Sequence, residues 1–158
     1  MSSTYDRLIA LLDGSDYLLV DHEPEGSTVA VSALRGHPPA YAAKCLMLTV
    51  KVDRRTRRHV LAVVPGDRRV DLGAIRALYS ARYAGFADPE TAERLAQAVP
   101  GTVLPFAMTD EVEVVADPAV LEQPRLWFNA ARLDRSVSLA PTDYERLARP
   151  RLHQIAAS

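Results

Sequence analysis

The sequence predicts a single α+β domain built on a mixed, largely antiparallel sheet, and three observations carry that prediction. Strand-like and helix-like segments are interspersed without the regular βαβ repeat of a doubly wound sheet. Two apolar runs, 45–52 and 59–64, flank a short polar turn and read as a hairpin. A length of 158 residues with 48% hydrophobic content suits one domain and falls short of two ordinary ones. No linker, internal repeat or low-complexity stretch divides the chain, so the domain is expected to run over 1–158.

The elements follow from local signals. Ser3-Thr4-Tyr5-Asp6 reads as a capping box, and Leu8, Ile9, Leu11 and Leu12 give the helix behind it an apolar face, which Asp13-Gly14 ends. Residues 17–20 form a short strand that runs into Asp21-His22, and Glu23-Pro24-Glu25-Gly26 is a turn. Ser27 can cap a second short helix through Leu34, which Arg35-Gly36-His37-Pro38-Pro39 breaks. After the hairpin, Pro65-Gly66-Asp67 ends the second strand and Asp71 can cap a helix through Tyr79. Asp88-Pro89-Glu90 is a strong helix start, with an N-cap, a proline at the first position and then an acid; this helix should reach about Ala98. Strands are expected over 111–115, 126–129 and 136–139. Asp117-Pro118 can start a short helix between the first two, and a last helix is expected over 142–149.

Composition excludes several classes. With one cysteine, Cys45, no intrachain disulfide and no Cys-rich metal site can form. No stretch approaches the ~18 consecutive apolar residues of a membrane helix. The first residues lack the basic start and apolar run of a signal peptide, so a cytoplasmic location is expected. A net charge of −1 argues against a DNA-coating protein, yet Arg54, Arg55, Arg57 and Arg58 put a basic tip on the hairpin turn. There is no Walker loop, no GxGxxG after a strand, no HExxH and no GxSxG elbow. The histidines at 22, 37, 59 and 153 lack metal-ligand spacing, and no metal or cofactor is expected. His22 reads as structural or as lining a cleft, and Cys45, in an apolar strand, reads as a packed core thiol.

Two features could carry chemistry. Lys44 stands alone between Tyr41-Ala42-Ala43 and Cys45-Leu46-Met47-Leu48. It is either a lysine at the start of a strand with its ammonium in water, or an ammonium at a pocket wall that binds phosphate or a developing oxyanion. The run Gly101-Thr102-Val103-Leu104-Pro105 is constrained at both ends. It is either an ordinary connection or a loop that presents backbone N–H groups to a carbonyl. The arginine tip likewise reads as a surface for a phosphate backbone or as a solvated turn.

Ala43-Lys44-Cys45-Leu46, the run from Val60 through Pro65-Gly66-Asp67-Arg68-Arg69-Val70-Asp71-Leu72, Gly101-Thr102-Val103-Leu104-Pro105-Phe106, and Phe128-Asn129-Ala130-Ala131-Arg132 occur in that order. Together they resemble the YbaK/ProX family, free-standing relatives of the editing domain of bacterial prolyl-tRNA synthetases. The resemblance implies an α+β fold whose mixed sheet is strongly curved, barrel-like, and flanked by helices. It implies an aminoacyl-tRNA deacylase, an ester hydrolase that acts in trans on the acceptor end of a mischarged tRNA, tRNA for proline foremost, without a metal. Water or the ribose 2′-hydroxyl takes part in the attack. A synthetase is an implied partner; a membrane and DNA are not. The family's lysine falls on Lys44 and its GxxxP loop on Gly101 and Pro105, and these are the catalytic and positioning candidates. Tyr17, Val29, Met47, Thr102, Pro105 and Ser136 are the pocket candidates, and Arg54, Arg55, Arg57 and Arg58 the tRNA contacts. The chain departs from the family pattern at Ala107, at Ala130-Ala131, and at Ser136, near which some members carry an aspartate. The departures touch the expected pocket and leave the edited amino acid open. The same fold without catalysis, as a module that binds tRNA or a synthetase, is the alternative.

Overall fold

The computed structural model describes residues 2–157. Helix α1 (Thr4–Leu12) starts on the expected capping box: the Ser3 hydroxyl accepts from Asp6 N–H at 3.0 Å, and the Asp6 carboxylate accepts from Ser3 N–H at 3.4 Å. Strand β1 (Tyr17–Asp21) and helix α2 (Thr28–Arg35) follow. The Ser27 side chain makes no capping bond to α2; its own N–H donates to the Glu25 carboxylate at 3.0 Å. A 3₁₀ turn (Pro39–Tyr41) leads into β2 (Ala43–Lys51).

Strands β2 and β3 (Arg57–Pro65) form the expected hairpin, antiparallel from Ala43↔Pro65 to Lys51↔Arg57. Along β3 the side chains alternate between two cores: Leu61 and Val63 enter one, and Val60, Ala62 and Val64 the other. Continuous apolar runs like 60–64 mark strands buried on both faces. The first core gathers Leu8 and Leu12 of α1, Leu95 of α4 (Pro89–Ala96), Phe106, Phe128 and Tyr144 of α5 (Pro141–Ala148). The second packs β2 and β3 on Ile75 of α3 (Leu72–Leu78) and on Ile155.

Counting β4 (Arg69–Val70), β5 (Tyr83–Phe86), β6 (Val112–Ala116), β7 (Leu126–Arg132), β8 (Arg135–Leu139), β9 (Arg151–Leu152) and β10 (Ala156–Ala157), the strands fall into three sheets. The largest has the order β5-β2-β3-β6-β9, a second β1-β8-β7, and a third is the pair β10-β4. Pairing is antiparallel except at β3–β6 and β6–β9. The architecture is therefore α+β with mostly antiparallel sheets. The expected barrel-like curvature is corrected: the sheets stay open, and their edges end at β5 and β9 and at β1 and β7 rather than on each other.

The C-terminal segment is held by one buried acid. Asp117 caps the 3₁₀ turn Pro118–Leu121 by accepting from Ala119 N–H at 2.9 Å, and its second oxygen accepts from Ile155 N–H at 3.0 Å and Ala156 N–H at 2.9 Å. Asp117→Ala strands three donors, one of which, the Ile155 N–H, is fully buried. It is expected to destabilise the fold by about 2 kcal/mol, a fall in Tm of roughly 6 °C by calorimetry.

Candidate active site

The site is built where α2, the start of β2, the 101–105 loop and β7 converge. They enclose an open cleft of about 190 Å³ whose wall includes Gly26, Arg35, Lys44, Gly101, Trp127 and Asn129. Two cations line it and no carboxylate or histidine does.

Lys44 is the second residue of β2, opposite Val64, and is half-buried. Burial lowers its pKa from the ordinary lysine value, the nearby Arg69 guanidinium lowers it further, and Asp67 partly offsets both. The ammonium is thus not in bulk water, and among the described residues no direct ion pair neutralises it. The neighbouring Cys45 thiol is pushed well up by burial and stays protonated, so it supplies no nucleophile.

The loop is pinned at both ends. Gly101 has φ +85, and its carbonyl accepts from Asn129 Nδ2 at 2.9 Å. A Cβ at this position would stand 3.0 Å from Gly26 Cα in a backbone conformation that other residues rarely adopt. At the far end, the fully buried Tyr144 hydroxyl donates to the Pro105 carbonyl at 2.8 Å. Between these anchors, Val103 lines the cleft, and its backbone N–H has no acceptor among the described residues.

Gly66 explains the glycine of the Pro65-Gly66-Asp67 run. A Cβ there would meet the Pro39 carbonyl at 2.4 Å and Thr28 Cγ2 at 2.6 Å. The backbone of the β3 end therefore passes directly beneath the segments that carry Thr28 and Ala42, two more residues of the cleft wall.

Behind the wall lies a polar cluster. Asn129, buried in β7, donates to the Glu25 carbonyl at 3.0 Å and to Gly101, while its Oδ1 accepts from Arg35 Nη2 at 2.9 Å. Arg35 Nε donates to Ser136 Oγ at 2.7 Å. The single Ser136 hydroxyl proton has two acceptors in reach, Asn129 Oδ1 at 3.1 Å and His22 Nε2 at 2.6 Å. His22 Nδ1 faces the Glu23 carbonyl at 2.8 Å, which can only accept.

Of the residues singled out from sequence, the structure brings Lys44 and Gly101 to one cleft. The other pocket candidates stand off its wall. Tyr17 packs on the first core, Val29 is 66% exposed on the outside of α2, and Met47 points into the core. Thr102 is buried and donates its hydroxyl to the Val99 carbonyl at 2.8 Å. Pro105 serves as the acceptor for Tyr144, and Ser136 is fully buried behind Arg35. Arg54 and Arg55 are exposed on the hairpin turn and Arg57 and Arg58 on the first residues of β3, at the opposite end of β2 from Lys44, a separation of about 25 Å at the rise of an extended strand. Sequence reasoning passed over Arg35, Asn129, Trp127 and Tyr144. Asn129 lay inside a family motif but carried no role, and Arg35 registered only as part of a helix end. Among the described residues, no group of three or more histidine, cysteine, aspartate or glutamate side chains is placed to hold a metal ion. No described helix is long and apolar enough to cross a membrane.

The sequence model of the aminoacyl-tRNA editing domain matches residues 22–147, which take in every side chain of the cleft. The chain belongs to the aminoacyl-tRNA editing domain family. This is the YbaK/ProX family to which its motifs are similar. Within the family it is 38% identical, over 96% of its own length and 92% of the relative's, to the multifunctional Ser/Thr-tRNA deacylase ProXp-y of Escherichia coli K12. It is 24% identical to the prolyl-tRNA editing protein ProX of Acetoanaerobium sticklandii, over 85% and 82% of the two chains. Among solved structures, one proposed as a trans-editing enzyme for prolyl tRNA synthetase superposes with a TM-score of 0.81 at 18% identity, covering 100% and 99% of the chains. The hypothetical protein APE2540 superposes at 0.82 and 18% identity, covering 96% and 97%. At that identity the two structures establish the fold of this editing domain alone.

Proposed function

We propose that this chain is a trans-acting aminoacyl-tRNA deacylase that hydrolyses the ester of a small, hydroxylated amino acid, serine or threonine, on a mischarged tRNA, with tRNA for proline the first carrier to test. The observation that carries the reading is the convergence of Lys44 with the doubly pinned 101–105 loop on one cleft. The choice of amino acid leans on the name of the relative at 38% identity, and the choice of carrier on the more distant ProX.

The chemistry asks little of the protein. An aminoacyl ester is already labile, so stabilising the oxyanion matters more than a strong nucleophile. Water attacks the carbonyl carbon, directly or with the ribose 2′-hydroxyl as its proton relay. The negative charge that forms on the carbonyl oxygen is met by the free Val103 N–H and by the Lys44 field, and the ribose 3′-oxygen leaves with a proton. The cleft supplies no carboxylate or imidazole as a base. A backbone loop held rigid by Asn129 and Tyr144 needs no reorganisation during the reaction.

The deciding experiment offers purified protein a panel of tRNAs carrying serine, threonine, alanine and cysteine, on tRNA for proline and on other carriers, and measures amino-acid release. No release above background on any member overturns the reading. A second reading, a non-catalytic module that binds tRNA or a synthetase, draws on the missing side-chain base. It predicts retained tRNA binding and no turnover in wild type and Lys44→Ala alike.

The arginine tip stands too far from Lys44 to touch the same nucleotide, and suits the phosphates of the acceptor stem. Replacing Arg54, Arg55, Arg57 and Arg58 together by glutamine is expected to raise KM for mischarged tRNA about tenfold and to flatten its salt dependence by two to three charges, roughly 0.7–0.9 in slope for each phosphate that is no longer neutralised. Hydrolysis of a minimal aminoacyl-adenosine ester should not change.

A further inference from the structure

Arg35 is an unusual wall residue. Its guanidinium is largely withdrawn from water, and burial lowers its pKa to about 10. Among the described residues it forms no ion pair with a carboxylate; the acceptors it uses, Ser136 Oγ and Asn129 Oδ1, are neutral. Those two bonds occupy Nε and one hydrogen of Nη2. Nη1 donates to no atom among the described residues, and the side chain lines the cleft. Ser136 and Asn129 have no donor left to turn toward a ligand, because both Asn129 amide hydrogens and the Ser136 hydroxyl proton already serve other partners. Beside the Lys44 ammonium, the cleft therefore presents a planar, charged, donor-only edge, held in place from behind by Ser136 and Asn129. Around it the wall mixes apolar residues, Val31, Ala42, Val103 and Phe128, with the polar Thr28, Lys44 and Asn129.

Resting on the deacylase reading above, the geometry points to Arg35 as a specificity-determining residue that donates from Nη1 to the side-chain oxygen of the aminoacyl group, so that serine and threonine esters are held over alanine. A small volume alone separates such side chains poorly, since a hydroxyl or a methylene changes binding by ~1–3 kcal/mol in an apolar pocket. A charged donor that must give up its water is the stronger discriminator, because an analogue without the oxygen leaves it unpaired. Arg35 acts on the ground state and on orientation; the reacting carbonyl stays with Lys44 and the loop.

Trp127 supplies the readout. It is the one tryptophan of the chain and stands in the cleft wall, stacked on His37 with ring centroids 4.7 Å apart. Its fluorescence should respond when the cleft fills. The probes are 3′-amino-3′-deoxyadenosines acylated by serine or alanine through a non-hydrolysable amide, titrated into wild type, R35Q and R35K, with Tm measured for each variant. Wild type is expected to bind the seryl probe about tenfold more tightly than the alanyl probe. In R35Q the ratio should fall to about one to threefold, and R35K, which keeps the charge but loses the planar fork, should fall between. Equal affinities in wild type, no binding of either probe, or a ratio unchanged in R35Q and R35K each overturn the assignment, as does equal weakening of both probes. Should R35Q fail to fold, R35K decides. Because the probes are never cleaved, a binding preference that survives alongside inactivity on mischarged tRNA would sink the deacylase reading and leave the Arg35 assignment standing.

Discussion

Lys44→Ala is expected to lower kcat/KM for mischarged tRNA about 100- to 1,000-fold, the loss usual for removing one group that stabilises an oxyanion, while Tm stays within about 2 °C because the side chain makes no hydrogen bond among the described residues and fills no core. Half-burial without a direct ion pair is what gives the ammonium leverage: its field is less screened than that of a surface lysine, and no carboxylate stands on it. Lys44→Met keeps the aliphatic stem and should lose nearly as much activity as alanine, which separates charge from packing. Lys44→Arg keeps the charge on a bulkier, planar head and should recover less than tenfold, since the cleft is small. The pH profile adds a check with a definite sign. Burial lowers the lysine's pKa, so a rate that depends on the ammonium falls on the alkaline side earlier than an ordinary lysine would dictate, and Lys44→Met removes that limb once spontaneous ester hydrolysis is subtracted. The same lowered pKa means that the unfolded chain holds the proton more tightly, so this residue favours folding more, not less, as pH rises through that window. A profile identical in wild type and Lys44→Met would remove the ammonium from the mechanism.

What could be read from the sequence was what is local. Ser3, Asp71, Asp88 and Asp117 all cap the elements that their neighbours announce, because a cap is a contact three residues long. The hairpin was legible for the same reason. Strand β5 was not, since Tyr83-Ala84-Gly85-Phe86 is four residues long, carries a glycine and follows Ser80 in a left-handed conformation. Strands β4, β9 and β10 are two residues each and exist only through partners far along the chain. The parallel pairing of β3 with β6 is equally silent, because an apolar run does not encode the direction of its neighbour. The site divides in the same way. Lys44 and the 101–105 loop stood out as anomalies in their own surroundings. Arg35 did not, because its defining partners, Asn129 and Ser136, are 94 and 101 residues away. Of the pocket candidates, Tyr17 lies on β1, which does not reach the cleft, Met47 stands farther along β2 in the core, and the helical turn carried Val29 to the outside of α2.

Asn129→Leu should be the most disruptive single change around the cleft, lowering stability by about 3 kcal/mol, or roughly 10 °C in Tm, and reducing deacylation by at least 100-fold, of the order lost when a catalytic donor is displaced. The side chains are close in volume, so the cost comes from polarity rather than from a void. Three groups lose a partner at once, the Glu25 and Gly101 carbonyls and Arg35 Nη2, while the Ser136 hydroxyl keeps His22 Nε2 as its acceptor. The two carbonyls can take up water from the open cleft, which is why the cost stays below the sum of three bonds lost from a closed interior. Activity suffers separately from stability. Asn129 ties the turn before α2, the positive-φ residue of the loop and the guanidinium of Arg35 to one rigid strand, and without it the Val103 N–H has no fixed aim. Tyr144→Phe offers the contrast, since it frees the loop only at Pro105 and leaves Gly101 tethered. It should cost about 1 kcal/mol and a smaller share of kcat. The two variants thus order the anchors by measurement: thermal melts give the stability each supplies, and single-turnover deacylation gives the alignment each supplies. If Asn129→Leu melts early yet turns over at the wild-type rate below its Tm, the loop does not hold the carbonyl, and the oxyanion would have to be met by Lys44 alone.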